Sequence, residues 1–406
     1  MAHRIFAAAF CLLALSAGAA MAGPVWSTDK SKIATFYGTA AVTPIGNKPA
    51  FTPSIAIAVS INGQPVFSQG FGHVSPGGPL ATGDTVYHVG SVSKQLMAAA
   101  ILALIEDTSG PVGPLGKSPP GAPIALDDKI QKFIPDSLDW GPVSLRAMLN
   151  MHSGFASYTS PPANVPSPFD TTKPIAPREL LRYVLSMLHS NPSPGGAVSP
   201  YVYSNTNYFL LANVIEFFKA KTPGAYDYNY QTWLRQRIFQ KAGMTNTGFI
   251  EDAFPGAVVA PAPYDLSNSA FASPSWPKGA GEVASSVNDL LKWHAALMNG
   301  ALVSTNARNL LFAPTGSAGY GMGWVIITGG GYRWISHGGD IPGFVSFDGI
   351  FQNEATGDWV SVAILANNDN VPNLPNLGTC LAQLGMDPSL TKAGLGPVAK
   401  KACAIP

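Results

Sequence analysis

The stretch QLMAAAILALIED, Gln95 to Asp107, is apolar on every side of a helical wheel, and no other segment constrains the fold as strongly. Such a helix cannot lie on a surface; other elements must enclose it. A chain of 406 residues is long enough to build that enclosure as one large core, or as a domain with a sizeable insertion. Lys94 stands at the start of this helix, with Ser91 three residues before it. An ammonium group at the mouth of a buried helix needs a reason.

Strands flank the helix along the chain. SIAIAVSINGQPVFSQGFG (54–72) reads as two strands around Asn62-Gly63, a dipeptide favoured in type I′ hairpins. TVYHVG then leads directly to Ser91. Near the other end, YRWISHGGDIPGFVSFDGIF and DWVSVAILANN read as further strands joined by the polar turn QNEATG. Between these groups, PRELLRYVLSMLHSN, NTNYFLLANVIEFFKA and SSVNDLLKWHAALMNG have helical spacing, with Ser286 and Asp289 suited to cap the last. Two Pro-rich stretches, 109–123 and 160–174, are expected as surface loops bordering a cleft.

Composition narrows the partners. The 24 basic and 23 acidic residues nearly cancel and form no basic run, which excludes an obvious nucleic-acid or anionic-membrane surface. Gly 42 and Pro 36 are high, but 46% hydrophobic content suits a loop-rich globular chain better than a disordered one. Residues 1–22 read as a signal peptide: Arg4, the apolar run IFAAAFCLLALSAGAA, and the small-residue site Ala20-Met21-Ala22. A membrane anchor is the alternative for that segment, and its short apolar run argues against it. The expected product begins near Gly23 and is periplasmic or secreted, with no membrane span. Of the three cysteines, Cys11 leaves with the signal. Cys380 and Cys403 are expected to form a disulfide in a C-terminal tail, 376–406, worth about 3 kcal/mol on the chain-entropy model.

The pattern S-x-x-K occurs four times, as Ser27-Lys30, Ser91-Lys94, Ser275-Lys278 and Ser389-Lys392. Only the second joins a strand-like segment to a strongly apolar helix. Residues three apart share a helix face, so Lys94 can reach the Ser91 hydroxyl. Ser91 sits at the helix N-terminus, where free N–H groups favour developing negative charge. An unpaired buried lysine is pushed toward the free amine, which can accept a proton and activate the serine without a histidine. Taken locally, the same residues also suit a helix cap and a lysine that snorkels to solvent.

Two further features add weight. YSNTNY contains Tyr203-Ser204-Asn205, the sole Y-x-N of the chain, ahead of a helix. A phenol can exchange protons with a nearby amine, and an amide can orient a lysine or a substrate carbonyl. His337-Gly338-Gly339 ends the strand-like RWISHGG, where glycines would let substrate backbone lie along a strand edge. A turn tyrosine with an asparagine cap accounts equally for the tripeptide, and His152-Ser153-Gly154 and Lys241-Ala242-Gly243 match the third pattern too.

In this order the three elements resemble the serine β-lactamase and penicillin-binding protein superfamily, nearest the branch of class C β-lactamases, D,D-carboxypeptidases, D-aminopeptidases and related esterases. The blocks LDDKIQKFIPD, SLRAMLNMHSGF, FQKAGMTNTGF, GAGEVASSVNDLLKW, YGMGW and SHGGDIPGF are similar to family blocks in the same sequence, so the likeness spans most of the chain. The resemblance implies an α+β fold, an antiparallel sheet flanked by helices, within 23–375. It also implies an all-helical lobe inserted within about 110–280, with the site between the two. It implies Ser91 as the acylated nucleophile, with Lys94 and Tyr203 sharing the acid and base work. Asn205 would bond Lys94 or the substrate acyl side chain, and His337, Gly338 and Gly339 would line the substrate. The backbone N–H groups of Ser91 and Asp340 would form the oxyanion hole.

The sequence departs from that pattern. Its third motif is H-G-G where class C β-lactamases carry K-T-G, which removes a hydroxyl and a permanent cation and weakens binding of a β-lactam carboxylate. Residues 109–123 look like an insertion. G-x-S-x-G is absent, which excludes an α/β-hydrolase. The scattered histidines, without H-E-x-x-H or H-x-H, imply no metal and no cofactor. The expected partner is a small-molecule or peptide substrate: D-amino-acid-containing peptides or amides first, short acyl esters second, β-lactams third. A peptidoglycan-binding protein without turnover is the non-enzyme alternative.

Overall fold

The hairpin expected at Asn62-Gly63 opens a computed structural model. It describes residues 54–386, apart from 110–123, 135–141, 171, 193–199, 220–225, 262–274, 368–370 and 372–373. Strand β1 (Ile55–Ile61) turns through Asn62 (φ 49°) and Gly63 (φ 81°) into β2 (Gln64–Phe71), both turn residues left-handed as type I′ requires. The expected signal peptide, Cys403 and nearly all of the first Pro-rich stretch lie outside the described residues.

A short strand, β3 (Tyr87–His88), runs into a 3₁₀ turn, Gly90–Val92, and then into α1 (Ser93–Ser109). Residues Leu96 to Ile105 are each no more than 1% exposed, the all-round burial that the apolar wheel demanded. The helical lobe follows as α2 (Leu145–Leu149), α3 (Pro177–Ser190), α4 (Asn205–Lys219) and α5 (Asn229–Leu234), the last running on through a π-helical turn, Arg235–Phe239. Pro177 occupies the first turn of α3, where its missing N–H costs nothing, and Leu180, Leu181, Val184, Met187 and Leu188 make its buried stripe. Two short strands, β4 (Gly248–Phe249) and β5 (Val283–Ser285), complete a small sheet in the order β3-β5-β4.

The chain then returns to the large sheet. Ser286 caps α6 (Val287–Met298), its side chain accepting from the Asp289 N–H at 3.2 Å as the sequence suggested, and α7 (Thr305–Leu311) follows. Strands β6 (Val325–Gly329), β7 (Tyr332–Ile341), β8 (Phe344–Asn353) and β9 (Trp359–Ala366) finish a six-stranded antiparallel sheet ordered β2-β1-β9-β8-β7-β6. Both faces of the central strands are covered. Ala56, Ala58, Ala363 and Leu365 face the core shared with α1, α6 and the helical lobe. Ile55, Ile57, Val362 and Ile364 alternate with them and face α8 (Leu374–Met386) on the other side.

That last helix changes the reading of the C-terminus. Leu374, Leu377, Leu381 and Ala382 pack on the sheet, so α8 is part of the domain and runs across the 375/376 boundary expected from sequence. The described residues of the second Pro-rich stretch form no helix or strand. Phe169 within it packs edge-on against Tyr183 of α3 at 5.7 Å and against Trp276 at 6.5 Å. Among the described residues, no helix is long and apolar enough to cross a membrane.

Candidate active site

Gly90 turns the chain into α1 with φ +50°, and this bend sets Ser91 at the helix mouth, one turn before Lys94. Lys94 is fully buried, and its Nζ lies 2.9 Å from Ser91 Oγ and 2.7 Å from the carbonyl oxygen of Ala280. Among the described residues no carboxylate pairs with it; instead the rings of Tyr203 and Tyr208 lie 5.0 and 5.8 Å from the nitrogen. Burial holds the amine well below the ordinary lysine range. The amine at the mouth of a buried helix thus holds its proton less tightly than an ordinary lysine, beside a hydroxyl.

The other S-x-x-K pair whose residues are described differs in kind. Ser275 Oγ accepts from the Ile175 N–H at 2.8 Å, while Lys278 pairs with Glu251 at 2.8 Å and Glu282 at 3.4 Å. Burial works against the Lys278 charge, but the two carboxylates outweigh it and raise its pKa. Lys278 is a paired cation, and Lys94 is not.

Tyr203 reaches the same serine from the helical lobe, its hydroxyl 2.9 Å from Ser91 Oγ. Burial raises its pKa, with the Ser91 hydrogen bond opposing in part, so the phenol keeps its proton well into the alkaline range. Asn205, the first residue of α4, takes neither proton nor lysine. Its Nδ2 donates to Thr159 Oγ1 at 2.9 Å and its backbone N–H to Ser157 Oγ at 3.2 Å, while Oδ1 is buried with no partner among the described residues. Of the two roles expected for Asn205, the bond to Lys94 is therefore not made. The free Oδ1 can accept an N–H from a bound molecule.

The third element lies on β7. Its neighbour β6 pairs with it only as far as Ser336, so from His337 to Ile341 the strand is laddered to β8 on one side and faces the Gly90 turn on the other. A Cβ on Gly90 would sit 3.1 Å from the Asp340 nitrogen, which brings that N–H beside the N-terminus carrying Ser91. The two glycines differ. A side chain on Gly339 would overlap the Val89 carbonyl oxygen and Ser346 Oγ, so this glycine lets the strand close on the turn that holds Ser91. Gly338 faces outward, and a Cβ there would meet only Ser346 O at 3.6 Å.

His337 is buried, and both ring nitrogens are occupied. Nδ1 donates to the Gly338 carbonyl oxygen at 2.6 Å, which leaves Nε2 to accept from the Tyr320 hydroxyl at 3.1 Å. Burial is the main cause that lowers its pKa to about 3, and Lys94, when protonated, pushes the same way against the Gly338 hydrogen bond. The imidazole is neutral at any ordinary pH. Around it, the rings of Tyr203 and Tyr320 stand 6.1 and 5.8 Å away, and Tyr201 lies 5.7 Å beyond Tyr320.

Ser91, Lys94, Tyr203, His337 and the Asp340 nitrogen thus converge on one place. Sequence reasoning missed Tyr320 and Ala280, although both lie in blocks it had noted, YGMGW and GAGEVASS. A backbone carbonyl carries no side-chain signal, and a tyrosine seventeen residues before a histidine offers no spacing rule. Among the described residues, no group of three or more His, Cys, Asp or Glu is placed to hold a metal ion.

Comparison with known proteins identifies the family and the fold. The Beta-lactamase family model matches residues 47–375, most of the chain, and the protein belongs to that family. It is similar to the putative penicillin-binding protein PbpX of Bacillus subtilis (strain 168), 27% identical over 335 residues that cover 80% of this chain and 73% of that one. Its fold is like that of the octameric penicillin-binding protein homologue from Pyrococcus abyssi (TM-score 0.65, 21% identity, 92% of this chain and 78% of that one). It is also like the D-amino acid amidase from Ochrobactrum anthropi SV3 (TM-score 0.59, 22% identity, 79% and 90%).

Proposed function

We propose that this protein is a serine hydrolase that forms an acyl-enzyme on Ser91 and cleaves D-amino-acid-containing amides or peptides. One observation carries the reading: the Ser91 hydroxyl lies 2.9 Å from both Lys94 Nζ and Tyr203 OH. Lys94, whose burial favours the unprotonated amine, takes the serine proton, and Ser91 Oγ bonds to the acyl carbon. The carbonyl electron pair moves to its oxygen, where the N–H groups of Ser91 and Asp340 receive it. As the intermediate collapses, Tyr203 gives its proton to the departing nitrogen and regains one from the Lys94 ammonium. Water then attacks the ester by the reverse route and releases the acid.

His337 favours one substrate class over another. With Nδ1 on Gly338 and Nε2 on Tyr320, it offers neither a cation nor a free N–H to a substrate carboxylate. D,D-carboxypeptidase substrates and β-lactams bring such a carboxylate to the site. A primary amide, an internal peptide bond or an ester need not. The same observation supports hydrolysis of short acyl esters as the second reading, with β-lactams third. The D-configuration rests on likeness to the amidase fold, and action outside the cytoplasm rests on the signal sequence read in residues 1–22.

Two experiments test this reading. A fluorophosphonate probe labels the wild-type protein and not Ser91→Ala; a wild-type protein that never labels would favour a binder without turnover. Parallel kinetics on a D-amino-acid amide, a D-Ala-D-Ala peptide, p-nitrophenyl butyrate and nitrocefin rank the substrates, with the amide expected first. The highest kcat/KM on nitrocefin or on the free-carboxylate peptide contradicts the substrate assignment.

A further inference from the structure

Tyr203 acts only if its loop holds it against Ser91, and one residue outside the motif grips that loop on both sides. Met151 has φ +61° although it is not a glycine, a conformation that persists where the surroundings impose it, and it is fully buried. Its carbonyl oxygen accepts from the Val202 N–H at 3.0 Å. Its thioether Sδ accepts from the Ser204 N–H at 3.4 Å and from Asn207 Nδ2 at 3.3 Å. Asn207 Nδ2 also reaches the Ser204 carbonyl oxygen at 3.3 Å, so Ser204 is held through both backbone groups. The residues before and after Tyr203 are thus tied to a single side chain and its own carbonyl.

We infer that Met151 is a positioning residue for Tyr203: its left-handed backbone and its sulfur together fix residues 202–204, and so hold the phenol at Ser91. The inference rests on the reading that Tyr203 exchanges protons during turnover. A thioether is a weak acceptor, so its value here is geometric. Without the sulfur, the Ser204 N–H and the Asn207 amide, both buried, must seek other partners, and the loop shifts with them. A displacement of about 1 Å at a reacting group can cost on the order of a hundredfold in rate.

The test is a double-mutant cycle on p-nitrophenyl butyrate turnover. Met151→Leu keeps size and removes the acceptor; it should lower kcat about tenfold and move KM less than about twofold. In a Tyr203→Phe background the same change should alter kcat by less than about twofold, because the group it positions is gone. Met151→Gln restores an acceptor near the sulfur position and should recover most of kcat. An equal loss in both backgrounds, an unchanged kcat in Met151→Leu, or no recovery in Met151→Gln overturns the inference and leaves the function of Tyr203 standing. A Tyr203→Phe enzyme as fast as wild type overturns both. Should Met151→Leu fail to fold, amide exchange of Ser204 in the wild-type protein decides: protection of at least about a hundredfold is expected, and exchange at the unprotected rate refutes the clamp.

Discussion

Replacing Lys94 with methionine separates chemistry from stability. Methionine nearly matches the aliphatic stem in length and volume but cannot accept a proton. The substitution removes two hydrogen bonds, to Ser91 Oγ at 2.9 Å and to Ala280 O at 2.7 Å, each worth about 1 kcal/mol net. It also ends the burial of an amine that has no carboxylate partner, which offsets part of that loss. The balance is a destabilisation of about 1–2 kcal/mol, a few degrees in Tm. Removing a general base costs on the order of a hundred- to ten-thousandfold in rate, about 3–5 kcal/mol in the barrier. Lys94→Met should therefore stay folded, shift Tm only slightly, and lose at least about a hundredfold in the burst of p-nitrophenol that reports acylation. Stopped-flow kinetics beside a thermal melt reads both quantities. A folded Lys94→Met enzyme that acylates within about tenfold of wild type would refute the assignment of Lys94 as base.

Three other perturbations have defined outcomes. The pH profile of kcat/KM should fall toward acid as the depressed Lys94 amine becomes protonated and stops accepting the serine proton. His337 should add no step near 6.5, since it stays neutral down to about pH 3; a step there that vanishes on substituting His337 contradicts the assignment. Gly339→Ala forces a Cβ into the Val89 carbonyl and Ser346 Oγ and should destabilise by about 1–3 kcal/mol and abolish labelling of Ser91, whereas Gly338→Ala should be tolerated in both; urea melts and fluorophosphonate labelling read the contrast. Tyr320→Phe strips His337 Nε2 of its donor in a buried site and should cost about 1–3 kcal/mol in urea unfolding; an unchanged midpoint would mean that the pair contributes nothing.

Several elements were legible in the sequence because the physics that sets them is local. Asn62-Gly63 specifies a left-handed pair of residues, Ser286 an N-cap, and the wheel of Gln95–Asp107 an enclosed helix, and the structure has all three. What escaped depends on approach in space. Helix α8 carries Gly378 in its middle, and Gly378 is there because a Cβ would overlap the Phe347 ring; the close packing that makes the helix part of the domain thus weakens its helical signal. Gly338 and Gly339 look equivalent in sequence, yet the period of two along β7 sends one outward and the other into the turn before Ser91. The family resemblance implies that Asn205 bonds Lys94 or the substrate, but the first turn of α4 points its amide nitrogen to Thr159 and not to the lysine. The bond that completes the lysine comes from the Ala280 backbone, to which no side-chain pattern could have pointed.

The central claim is a covalent bond at one oxygen. Wild-type protein quenched during turnover of p-nitrophenyl butyrate, digested and analysed by mass spectrometry, should carry a butyryl group on the peptide containing Ser91, with Ser91→Ala carrying none. Acylation found on a different serine, or hydrolysis that survives intact in Ser91→Ala, would contradict the account.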